Sequence, residues 1–289
     1  MMSWKRKAAR SAVWVAAGLA AGYVWSTDAA HASDTVKVAV VGGLEQCGVW
    51  RNLVPRLEAA TGLNIQTIVA GPKENVVPSF KSGEADVLLI HGSDEALALL
   101  ADGVAAPMRA WARNEHVIVG PADDPAGVAQ ARDGTEGLRR IAEAKAPFVA
   151  FRDPGSHSVV AGLMRRSGLL PSPAWIVPDE STGPHQILEF ASRKKAYVVV
   201  GHIPVAFGKL HGENMKVLLK GDPRMRRVYV VLEPGPNHPA GPDARADAKK
   251  VADYLVSDGG QSDLRAADAE AGGPWIFTLV NSGPAGPAR

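Results

Sequence analysis

Cysteine is almost absent. Cys47 is the single thiol in 289 residues, so an intramolecular disulfide is impossible and zinc sites built on several cysteines are excluded. Cys47 lies well past the apolar leader and two residues after charged Glu45, which is wrong for a lipid-attachment cysteine. An excess of one charge is also lacking. Lys and Arg number 32 against 30 Asp and Glu, a formal net charge of +2, so no global field recruits nucleic acid or an anionic membrane. Any selectivity for an anion must be local. The chain has no internal repeat and no GxGxxG, Walker loop, HExxH or GxSxG. These absences remove the common nucleotide, metalloprotease and hydrolase sites, and no cofactor is expected, although an enzyme is not excluded.

What is present is a globular composition, 46% hydrophobic and 21% charged, with length enough for two domains of roughly 100–150 residues. Residues 1–32 stand apart. Lys5, Arg6, Lys7 and Arg10 precede an apolar segment from Ala12 to Trp25, broken by Gly18 and Gly22, and the stretch ends Ala30-His31-Ala32. That is the pattern of a signal peptide cleaved after Ala32, which predicts a secreted, periplasmic or otherwise extracytoplasmic protein; an uncleaved N-terminal anchor is the rival.

From Thr35 the chain alternates strands and helices. Thr35 to Val41 is β-branched and nearly continuous, as in a strand buried on both faces, and Gly42-Gly43 ends it. A helix is predicted from Gly48 to Ala60, stopped by Thr61-Gly62, and strands at Asn64–Ala70 and Asp86–Ile90. Further strands are expected at His116–Gly120, Phe148–Phe151, Trp175–Val177, Ala196–Val200, Val217–Leu219 and Val228–Leu232. Helices are expected at Ser93–Leu100, Thr135–Ala144, Val159–Ser167, from after Thr182-Gly183-Pro184 to Lys195, Asp243–Val256 and Gly260–Ala267, and a Gly/Pro-rich disordered tail at 281–289. The beginning is that of a doubly wound α/β protein.

Ligands of open α/β sheets bind beyond the carboxyl ends of strands, and polar residues recur there. Gly42 and Gly43 follow the first strand, His91 the third, Arg152, Ser156 and His157 the strand at 148–151, and Gly201 and His202 the strand at 196–200, while Thr182 and Gly183 precede a helix. Helix starts would offer N–H donors and Arg152 a permanent charge, a combination that holds a small oxyanion. Adjacent Ser156 and His157 do not make a catalytic pair, since neighbouring side chains do not face each other and no nucleophile elbow surrounds them. Two rivals remain: a Cys47–His dyad, and a metal site drawn from His116, His157, His185 and His202 with Glu45.

Several stretches carry a family resemblance: Ala85–His91, Val117–Pro121 with Asp123–Gly127, Ala146–Val149 with Gly155–His157, then Ala196-Tyr197 and Gly221–Pro223. Over most of the chain beyond the leader it resembles the periplasmic tungstate-binding proteins of ABC importers, within the two-lobed substrate-binding proteins. The resemblance implies a two-lobed, type II-like α/β fold with the ligand in a cleft between lobes. It also implies a ligand handed to an ABC permease in the membrane; a monomer is expected, and the charge balance gives no expectation of nucleic-acid binding. In that family a Thr/Ser-rich loop after the first strand and an arginine of the second lobe hold the oxyanion. The arginine carries over onto Arg152. The hydroxyl run does not, because Val41-Gly-Gly-Leu44 stands there, and Gly201-His202 replaces an acid–arginine pair.

The expectation is therefore an extracytoplasmic solute-binding protein for an oxyanion of the tungstate or molybdate type, with no catalytic residue. Its ligand contacts are expected at Gly42, Gly43, Arg152, Ser156, His157, Thr182, Gly183 and His202. Lobe 1 is expected at 33–119 and 229–280 and lobe 2 at 120–228. A same-fold binding protein or sensor for a metal ion or metal complex is one alternative, and a periplasmic enzyme on this fold another.

Overall fold

The computed structural model describes residues 35–279. The expected leader and the expected tail at 281–289 lie outside the described residues. The chain opens with β1 (Thr35–Val41), α1 (Gly42–Gln46), α2 (Val49–Thr61), β2 (Asn64–Gly71), α3 (Lys73–Lys81), β3 (Val87–His91) and α4 (Asp94–Ala101). The long β4 (Arg109–Pro121) leads to α5 (Gly134–Glu143), β5 (Phe148–Ala150), α6 (Pro154–Ser167), β6 (Ile176–Pro178), α7 (Ile187–Arg193), β7 (Val198–Gly201), α8 (His202–Ala206) and β8 (Met215–Leu219). Then β9 (Arg226–Leu232), α9 (Pro242–Val256), α10 (Asp258–Glu270) and β10 (Ile276–Thr278) complete the fold.

The main sheet runs β10-β4-β9-β3-β1-β2, with β7 and β8 added on β4. β1 pairs in parallel with β2 and β3, as its continuous Val/Ala run requires of a strand covered on both faces, whereas β9 runs antiparallel between β3 and β4. β4 organises the two-lobed architecture. Its first part, Arg109 to Glu115, pairs with β9, and its second, His116 to Pro121, with β7 and β8. The first lobe is built on a core that includes Val38, Trp50, Leu88, Leu89, Trp111 and Tyr229. Two further cores lie on opposite faces of the second part of β4: Ile118 joins Phe148, Leu163 and Tyr197, while Val117 and Val119 join Ile187, Val198 and Val200. The period-2 alternation of a strand sends neighbours to opposite cores.

Several boundaries differ from those read in the sequence. Gly42 begins a short helix rather than a loop. β4 starts at Arg109, not His116, because pairing with β9 extends a segment (Arg-Ala-Trp-Ala-Arg-Asn) whose own composition does not favour a strand. α6 starts at Pro154 instead of Val159. Asp153 caps it by accepting the Ser156 N–H, Pro154 fills a first-turn position that needs no donor, and Gly168 closes it at φ 69°.

Candidate functional site

A cavity of about 290 Å³ lies between the lobes, at the carboxyl ends of β1, β3 and β7 and where β4 and β9 cross between lobes. Gly42 and Gly43 line it after β1 and His91 at the end of β3. Asn114 and His116 face it from β4, Arg227 and Tyr229 from β9, and Asp153 and Ser156 from the start of α6. The register explains part of this grouping: His91 and Tyr229 are cross-strand partners of β3 and β9, and their rings stack at 4.3 Å.

The polar atoms here are buried and mostly unsatisfied. His116 Nδ1, Ser156 Oγ and the Tyr229 hydroxyl have no hydrogen-bond partner, and His91 and Asn114 have only each other. Folded proteins pair nearly all buried polar atoms, at a cost of about 1–3 kcal/mol for each one left bare, so this grouping around one cavity indicates a polar ligand. Beside them stands Arg227. Its guanidinium lies against the start of α6, where any Cβ at Gly155 would overlap it, and it makes no ion pair among the described residues. Arg227 is half-buried, and its charge, opposed in the cleft by Asp153, is open to a ligand.

Burial, and then the Arg227 charge, hold the His116 imidazole at a pKa of about 4 and push that of His91 well below the usual histidine value. Both rings are neutral near pH 7. Burial also raises the Tyr229 phenol, which stays protonated, and lowers the Arg227 pKa, against which Asp153 acts. The cleft lining thus combines two cations, Arg227 and the exposed Lys209, with two hydroxyl donors, two buried neutral imidazoles, the exposed His185 and the Asp153 carboxylate.

The residues expected from sequence divide between this cleft and other places. Gly42, Gly43 and Ser156 line it, together with His91, Gly201 and His116. Arg152 does not: its side chain is 67% exposed, its Nε pairs with Asp179 at 3.2 Å, and its other arm donates to the Ser181 carbonyl at 2.9 Å. The correction has a local cause. Asp179 is buried, and Ser181 and Arg152 supply its hydrogen bonds, so the guanidinium is consumed beside the cleft. His157 lines a second cavity in the second lobe, and Thr182 is exposed just before Pro184 and His185, which do line the cleft; Gly183 does not line it, and a Cβ there would meet the Gln186 side chain. His202 pairs through Nδ1 with Glu115 at 3.2 Å and packs its ring on Trp275.

Arg227 had no signal in the sequence. It sits among Arg224, Met225 and Arg226 at a strand start, where basic residues usually face solvent, and only the crossing of β9 beneath α6 turns it inward. Among the described residues no three His, Cys, Asp or Glu side chains converge as a metal-ligand set. Cys47 is buried, which raises its thiol to a pKa of about 11, unsuited to a nucleophile.

No family model matches the chain. It is 24% identical over 251 residues, 86% of each chain, to the tungstate-binding protein TupA of Peptoclostridium acidaminophilum. The tungstate-binding protein TupA of Desulfovibrio alaskensis superposes with a TM-score of 0.65 at 21% identity, covering 86% of this chain and 100% of the other. The tungstate ABC transporter structure from Geobacter sulfurreducens gives 0.62 at 22% identity, covering 80% and 98%. Over most of its length, then, the chain resembles the tungstate-binding proteins, and it folds as a two-lobed binding protein with its cleft between the lobes.

Proposed function

We propose that this protein is an extracytoplasmic solute-binding protein that captures a small oxyanion, of the tungstate or molybdate type, between its lobes and delivers it to an ABC permease. The observation that carries the reading is the unpaired Arg227 guanidinium surrounded by buried polar atoms without partners. Tyr229 and Ser156 supply the hydroxyl donors that the start of α1 lacks. The likeness to tungstate-binding proteins and to a tungstate ABC transporter supports the ligand class and the permease. In this reading lobe 1 comprises 33–119 and 229–280 and lobe 2 comprises 120–228, residues 1–32 direct secretion, and the protein works as a monomer without catalysis or nucleic acid.

Calorimetry with tungstate and molybdate tests the reading. The wild-type protein is expected to bind, and Arg227→Gln to weaken binding about 10- to 100-fold, the worth of a charge-assisted hydrogen bond in a dry site. Arg152→Ala is expected to change affinity by no more than about twofold, because that arginine is engaged elsewhere. Binding that survives Arg227→Gln and vanishes in Arg152→Ala would return the anion to the loop before α6, and no binding by the wild type would end the proposal.

A further inference from the structure

One wall of the cleft offers an acceptor where an oxyanion needs a donor. His116 is 3% exposed and lines the cavity from β4. Its ring hydrogen-bonds the Met225 backbone carbonyl, which takes an N–H, and its Nδ1 has no partner. A neutral imidazole carries a single N–H, so with that proton on Met225 the Nδ1 is a bare lone pair. The oxygens of tungstate and molybdate only accept, and two acceptors brought together repel. A proton on Nδ1 makes that atom a donor, keeps the Met225 bond and adds a positive charge. The other groups around the ring do little to balance a dianion. Arg227 on β9 opposes a charge on His116, while Asp153 at the start of α6 and Glu115 beside it on β4 favour one. Glu115 is engaged by His202 and the Gly221 N–H, and His91 on β3 and Tyr229 on β9 are uncharged. Lys209 and His185 line the cleft from exposed positions, where water weakens their fields. Arg227 and Asp153 carry opposite charges, so a dianion between them finds no net compensation from that pair.

We infer that His116 takes up a proton from solvent at Nδ1 as the oxyanion binds, and that the resulting imidazolium selects a dianion such as tungstate or molybdate over an isosteric monoanion such as perrhenate. The inference rests on the reading of the cleft as an oxyanion site and adds the residue that reads the charge of the anion. In the free protein burial and Arg227 keep the ring neutral. A dianion seated beside it reverses the balance, since two negative charges outweigh one guanidinium, whereas a monoanion is matched by Arg227 alone.

Calorimetry on the full chain with tungstate, molybdate and perrhenate, repeated in two buffers of different ionisation enthalpy, counts the protons taken up with each anion. Each dianion is expected to bring in about one proton at pH 7, and its affinity to rise about three- to tenfold from pH 8 to pH 7. Perrhenate is expected to bind more weakly, without proton uptake. His116→Gln keeps a polar side chain that cannot charge, and is expected to abolish the uptake and flatten the pH dependence. Asp153→Asn is expected to retain both, because the proton goes to the ring and not to the carboxylate. Nitrogen NMR of the wild-type ring with and without tungstate reads the imidazolium directly, whether or not the variants fold. Dianion binding without uptake overturns the inference and leaves the oxyanion reading standing. So does uptake that His116→Gln keeps or Asp153→Asn removes, equal uptake with perrhenate, or a ring that stays neutral in the tungstate complex. Failure of all three anions to bind the wild type removes the oxyanion reading and the inference with it.

Discussion

Arg227 and the histidines near it set the electrostatics of the cleft. Burial keeps two imidazoles neutral, and the Arg227 guanidinium acts in the same direction. Their depressed values make stability depend on pH. His116 titrates near 4 when folded and near 6.5 when unfolded, so within that window the unfolded chain binds more protons. Stability is therefore expected to be complete above about pH 6.5 and to fall as the pH drops toward 4, by about 2–3 kcal/mol for His116, with His91 adding in the same direction. Urea denaturation at pH 7.5 and pH 5 measures this, and His116→Gln should reduce the difference. Equal stability of the wild type at both pH values would show that the rings are not held neutral.

At the scale of elements, α6 delivers both a donor and a penalty to the site. Asp153 caps the helix through the Ser156 N–H at 2.8 Å, and the same carboxylate lines the cleft facing Arg227. Asn caps as well as Asp, so Asp153→Asn should keep α6 folded at a cost of about 0.3–1 kcal/mol from the lost helix-dipole interaction. It removes a charge that repels an incoming anion, and anion affinity is expected to rise about three- to tenfold. Calorimetry beside a thermal melt separates the two effects; an affinity that falls instead would mean that the carboxylate itself contacts the ligand. The start of α6 also shows what was legible. Pro154-Gly-Ser156 after Asp153 is a helix start by its residue types, yet the apolar spacing from Val159 onward hides the first turn, and the partner of Arg152 is 27 residues away at Asp179.

For the whole molecule the decisive place is the crossing between lobes. Glu115, at the midpoint of β4, has a side chain only 4% exposed; it accepts the Gly221 N–H and pairs with His202, whose ring packs on Trp275 of the first lobe. Burial pushes its carboxyl up, but the hydrogen bonds from His202 and Gly221 outweigh this and hold it below the usual glutamate value. Glu115→Ala leaves both partners without an acceptor in a buried crossing and is expected to destabilise the protein by about 2–4 kcal/mol. Chemical denaturation reads this directly, and a loss under about 0.5 kcal/mol would show that the crossing does not depend on the carboxylate.

The amino-acid order by itself determined the alternation of elements and several cleft positions. β-branched runs such as Thr35 to Val41 form strands wherever they are covered, and Gly62 or Gly168 stops a helix by local backbone preference, so these features need no distant partner. Gly42, Gly43 and Ser156 follow because residues after parallel strands face one edge of the sheet. The tertiary structure alone decided which arginine lines the cleft. Arg152 has the better local setting but finds Asp179 nearby in space, whereas Arg227, in an unremarkable basic stretch, is drawn under Gly155 by the crossing of β9. Charge pairing acts through space between residues far apart in the chain, and spacing along the sequence does not record it.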